Sequence, residues 1–373
     1  MWALLLPMVY AQYTVYCAAF HTVNHTHFNP PPFMSERPAS PKAITSMPPE
    51  KIALAEAPFD DPRADLILQS SDEVHFRVFK PILSLASPIF DDMFSIPPPP
   101  SQKPHDEVQV VHLTEHSTIL DVALRHIYPV RSPKGDKLLY ANILAEFVRK
   151  YQVEALDENI TVYLTDNVEH DPVGIYAIAV TYGYNDIGAI AARSCLRLPF
   201  SGLESPYLRC ITAEHISELY RYHGTCGEAA SAVAALDRTW FFPLEQKLAQ
   251  RRNSSGIACQ SCSAPDILDL TSTLRRDYNN YSTGQWSGQT SPRYMWNYLH
   301  RSALVLAHHP SAEAVTTEDF VQKSNSGCSS CLHYMREYLR ELSVALGEEI
   351  KKAVERVSSS SRSPYLRSSM MHP

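Results

Sequence analysis

The chain has 373 residues, with 33 basic side chains against 40 acidic ones and a formal net charge of −7 at pH 7. That length exceeds what a single core comfortably fills, so two or more domains are expected. No block of Lys or Arg is long enough to bind phosphates, which excludes direct nucleic-acid binding as a leading reading.

The uncharged opening, Met1 to Phe20, has no basic stretch and is interrupted by Pro7. Neither a secretory signal nor a membrane anchor is expected from it. Prolines, serines and alanines then dominate without periodicity, so residues 1–63 read as a disordered linker. Structure is expected from Ala64. "ADLILQ" and the alternating "VHFRVF" flank the turn residues "SSDE", which is the pattern of a hairpin. From Pro81 to Phe94, apolar residues recur at helical spacing, and Pro81 suits a first helical turn. The run "IPPPPSQKP" ends that helix, because consecutive prolines supply no amide donors. "VQVVHL", residues 108–113, reads as a third strand. Helices are then expected from Ile119 to Tyr128 and from Leu138 to Tyr151, with a further amphipathic stretch at "ENITVYL". Beyond residue 170 the pattern is helical throughout, over 171–182, 186–198, 212–223 and 227–251, with Gly, Pro or Asn at the breaks. Cys195 and Cys210 fall on or beside apolar helical faces, where a buried, inert thiol is the common outcome.

This order of elements carries particular residues: Asp65 opening the first strand, then F-x-V-x-K-x-I-L-x-x-x-S-x-x-F-x-x-M-F from Phe76 to Phe94. Further on come V-x-L at 111–113, L-x-x-I-Y ending at Tyr128, and L-x-x-F-x-x-K-Y-x-V-x-x-L from Leu144 to Leu156. Together these resemble the BTB/POZ domain over residues 64–165. The stretch "DPVGIYAIAVTYGYNDIGAIAARSCL" is similar to the BACK-like helical region that follows this domain in many fungal members, here 166–255. The resemblance implies an α+β BTB/POZ domain, a small sheet with helices, followed by an all-α C-terminal domain. It also implies a protein-interaction module that self-associates, with a homodimer as the expected partner arrangement. Asp65 and Lys80 match the positions at which family members often carry an oppositely charged pair in the dimer groove, so they are the candidate partner-binding residues. Phe79 replaces the family's frequent His. "SIPPPP" stands where an acidic segment helps grip a cullin scaffold, so cullin recruitment and a role as ubiquitin-ligase adaptor are disfavoured while dimerisation is not. A transcriptional regulator of the BTB type is disfavoured because no finger motif or basic region follows the domain.

No catalytic constellation is found. "GQWSG" lacks the spacing of a nucleophile elbow, and His105 with Glu107 lies too far from the first cysteine pair to reproduce a zinc deaminase pattern. The chemical signal that stands out is a pair of C-x-x-C turns, Cys259/Cys262 and Cys328/Cys331, with residues 263–327 between them. Two such turns complete a tetrahedral zinc site, and four thiolates leave no open position, so the metal would be structural. The second pair leads into a helix whose amides favour thiolate charge. Disulfides, a redox pair, or four thiols with no shared role are the alternatives, and redox use, like a catalytic pocket in the helical region, would make the protein an enzyme. Residues 256–357 are therefore read as a helical C-terminal region with two zinc knuckles. It ends in an amphipathic helix from Leu332 to Val357 whose apolar stripe reads as core, and 358–373 reads as a disordered tail. The expectation is an intracellular, non-enzymatic adaptor that spans no membrane.

Overall fold

The computed structural model describes residues 53–96, 108–235, 240, 293–323 and 332–360. It divides into two compact units, one up to Asn167 and the other from Val168.

The N-terminal unit is built on strands β1 (Ala53–Leu54), β2 (Leu66–Gln69), β3 (Val74–Val78) and β4 (Gln109–His112). Their order across the sheet is β1-β3-β2-β4. β2 and β3 are the expected antiparallel hairpin, with Leu66 opposite Val78, and β4 joins β2 in parallel. Period-two alternation sends Leu66, Leu68, Phe76 and Val78 into the core. Residues 53–59 depart from the expectation of a linker running to residue 63. β1 pairs in parallel with β3, Arg77 donates its amide to the Phe59 carbonyl at 2.8 Å, and Phe59 is fully buried edge-on to Tyr128, ring centroids 5.4 Å apart.

The single helix expected from Pro81 to Phe94 is two: α1 (Lys80–Ala86) and α2 (Pro88–Ser95). Pro88 has no amide to continue α1, and Ser87 turns extended at φ −148° and ψ 121°. Its Oγ then accepts from the Phe90 amide at 3.1 Å and donates to the Tyr151 carbonyl at 2.5 Å, capping α2 and tying it to the core. α3 (Ser117–Ile127), α4 (Lys137–Tyr151) and α5 (Asp157–Asn167) complete the unit. Tyr151 stacks on Phe90 at 4.7 Å and donates its hydroxyl to Glu115 Oε2 at 2.7 Å, while Lys150 pairs with the same carboxylate.

The C-terminal unit is helical, and no strand occurs in it among the described residues. Its elements are α6 (Pro172–Tyr182), α7 (Asn185–Cys195), α8 (Ala213–Ala235), α9 (Arg293–Leu306), α10 (Glu313–Thr316), α11 (Glu318–Gln322) and α12 (Leu332–Ser360). Gly183, at φ 88°, ends α6 in the left-handed conformation that favours glycine. α8 runs unbroken through "YHGTCG", where a break was expected. Gly227 is required there by packing, since a Cβ would stand 2.5 Å from the Ala307 carbonyl oxygen. The stripe on α12 is core, as expected: Leu339, Leu342, Leu346 and Ile350 bury against Tyr294, Met295 and Tyr298 of α9. The helix continues past Val357 into what was expected to be tail, and Ser358 is buried. Among the described residues, no helix is long and apolar enough to cross a membrane.

Candidate functional site

Strand register brings the two candidate partner-binding residues to one end of the sheet. Leu66 faces both Val78 and Gln109, so Asp65, just before β2, lies beside the start of α1 and the start of β4. The structure does not join Asp65 and Lys80 side chain to side chain. Asp65 Oδ1 accepts from the Lys80 backbone amide at 2.8 Å, while the Lys80 ammonium donates to Gln109 Oε1 at 2.6 Å. Asp65 thus satisfies one orphan donor of the α1 N-terminus and puts negative charge at the positive end of the helix. The next orphan, the Phe79 amide, donates to Tyr128 Oη at 2.7 Å. Burial pushes the Tyr128 hydroxyl up to about 12, so it stays protonated and neutral at ordinary pH. Gln109 and Tyr128 were not singled out from sequence. Tyr128 closes the L-x-x-I-Y block, which was the available signal for it.

Beside this polar end, α1 and α2 present apolar surface. Leu85 on α1 is 92% exposed, and Ile96, just past α2, is 65% exposed. A side chain as large as leucine left almost wholly in water forgoes about 1.5–3 kcal/mol of burial. A groove of about 640 Å³ opens elsewhere in the unit, lined by residues that include Leu54, Val74, Asp121, Arg125 and Leu139. Its Asp121 carboxylate is already paired with Arg125 at 2.8 Å. Ser117, also in the lining of the groove, donates its hydroxyl to Asp72 Oδ2 at 2.6 Å. Both places offer surfaces for recognition.

The four cysteines of the zinc reading, Cys259, Cys262, Cys328 and Cys331, lie outside the described residues. Among the described residues no cluster of His, Cys, Asp and Glu is suited to a metal. Burial pushes the Cys195 thiol up strongly and the Cys226 thiol up to about 12, so both remain uncharged and inert. Cys210 is half-buried.

A search of curated proteins returns no similar chain. The family model of the BTB/POZ domain matches residues 59–168. The match begins at Phe59, the aromatic side chain buried beneath the sheet edge, and extends through α5. The residues that carried the sequence resemblance are largely the core of that unit: Phe76, Val78, Leu83, Ser87, Phe90, Leu124, Leu144, Phe147, Tyr151, Val153 and Leu156 are all buried. On the family match, the four-stranded sheet and the helices packed against it, this chain carries a BTB/POZ domain.

Proposed function

We propose that the protein is an intracellular adaptor that self-associates through the α1–α2 face of its BTB/POZ domain. A BTB/POZ domain is a protein-interaction fold, and the observation that carries the reading is Leu85, whose side chain is 92% exposed on α1. Two copies meeting over this face would remove Leu85 and Ile96 from water, a gain that scales with the apolar area covered. Asp65 and Lys80 line the rim of such a contact in this reading, and set which partner is accepted rather than supplying most of the affinity. The helical region from 166 onward presents the bound partner or extends the contact, and lends no catalytic group to this reading.

The test is co-purification of two differently tagged copies of the full chain. L85D is expected to abolish it. L304D, which places the same charge on an exposed leucine of the helical unit, 57% exposed, is expected to leave it intact. Equal co-purification of both variants would contradict the reading.

The four cysteines enter the proposal as one structural zinc clamp on the C-terminal region, supported by their spacing in sequence. Elemental analysis of the reduced protein is expected to find about one zinc per chain, with helicity lost on strong chelation. Metal-free protein that keeps its helicity would remove the clamp from this account.

A further inference from the structure

The C-terminal turn of α12 carries three consecutive serines. Ser358, Ser359 and Ser360 donate their hydroxyls to the carbonyls of Val354, Arg356 and Val357 at 2.9, 3.0 and 2.9 Å. These are back-bonds to carbonyls one turn earlier, which a helical serine commonly makes and which add little to the hold of the backbone ladder. Ser358 does more. It is 1% exposed, and its Oγ lies 2.7 Å from the hydroxyl of Tyr222, a buried residue of α8. This bond fastens the end of α12 to a helix far away in sequence.

Ser359 faces outward, as does Arg356 three residues before it. An exposed arginine at that distance ahead of a serine is what arginine-directed protein kinases read, through carboxylates that accept the guanidinium. Such a kinase takes its substrate extended, so the last turn must unwind for the hydroxyl to enter. The Ser358–Tyr222 bond and the half-buried Val354 and Val357 are what oppose that.

We propose that Ser359 is a phosphorylation site for an arginine-directed kinase, and that the phosphate frees the last turn of α12 from Tyr222. In the transfer, the bond from the γ-phosphorus of Mg-ATP to the β–γ bridging oxygen breaks and one to Ser359 Oγ forms. The hydroxyl proton passes to the general base of the kinase, and ADP leaves. The product is a near-dianion at the negative end of the helix dipole. The hydroxyl that donated to the Arg356 carbonyl is replaced by oxygens that only accept. Arg356 offsets this weakly, because an acid placed C-terminal to its base is the poorer orientation on a helix. Once the turn opens, Ser358 leaves Tyr222. Arg193 of α7 acts electrostatically on Tyr222 and is the competing destination for the phosphate.

The experiment uses the full chain with an arginine-directed kinase and Mg-ATP, locating phosphate by peptide mass and following hydrogen exchange on the same sample. Phosphate is expected on Ser359 and absent from that peptide in S359A. Exchange over residues 355–360 is expected to rise about tenfold, with Leu339–Ile350 unchanged. S359D is expected to raise exchange in the same segment without kinase, as is Y222F. Absence of phosphate from Ser359 would overturn the proposal. Phosphate on Ser359 with exchange over 355–360 unchanged, or slowed by capture on Arg193, would overturn it as well.

Discussion

His223 lies fully buried on α8, where Nε2 meets the Leu198 carbonyl at 3.0 Å and Nδ1 has no hydrogen-bond partner among the described residues. A carbonyl only accepts, so the hydrogen sits on Nε2, and protonating the ring would bury an N–H with nothing to receive it. Burial first, then His309 and His308, push this imidazole below its ordinary 6.5. Above that value folded and unfolded chains are both neutral here and the stability is complete. As pH falls below it, the unfolded chain takes up the proton first, so stability is lost until the folded-state value is reached. The urea midpoint is therefore expected to fall between about pH 7.5 and 5.5, with a shallower fall in H223Q, which keeps a donor for Leu198. An identical fall in both proteins would show that the proton goes elsewhere. His75 in the N-terminal unit shifts in the same direction through burial and then His112 and Arg77, which is why the substitution is needed to assign the effect. Nothing in the sequence marked His223, because a histidine within an amphipathic helix looks the same whether or not its second nitrogen has a partner. Asp65 and Lys80 were legible as positions. Their bonds were not, since the helix-capping role of Asp65 depends on where a backbone amide points.

At the scale of elements, the expected helices and strands form where periodicity is strong, and the departures fall where a single residue or a distant segment decides. Pro88 and Ser87 split one periodic stretch into α1 and α2, because Ser87 has a carbonyl to bind on Tyr151. Gly227 does the opposite, letting α8 run on through a glycine-rich stretch because α9 crosses closely there. G227A is expected to lower stability by about 1–3 kcal/mol through overpacking, measurable as a lower urea midpoint with an unchanged slope. A midpoint equal to that of the parent would mean the helices can separate at little cost. β1 and Phe59 escaped the sequence reading because a two-residue strand leaves no alternation to detect, and the surrounding prolines looked like linker. F59A tests their membership of the domain. Loss of this buried ring is expected to cost about 3–5 kcal/mol, whereas a linker residue would cost almost nothing.

For the molecule as a whole, the BTB/POZ domain was legible because its identifying residues are the ones its core needs at fixed spacing, from Phe76 to Leu156. The surface proposed for self-association was less legible. Leu85 shares the helical period of its buried neighbours, and its position outside the core follows only once Ser87 redirects the chain. Self-association through that surface is the central claim, and the most direct measurement is the mass of the full chain in solution across a range of concentrations, with L85D beside it. The account predicts a parent chain that becomes at least dimeric and an L85D chain that stays monomeric, the two melting at the same temperature only at concentrations where the parent is itself monomeric, since an exposed side chain contributes little to the fold of one copy. A parent chain that is monomeric throughout, or an L85D chain that associates equally well, would contradict it.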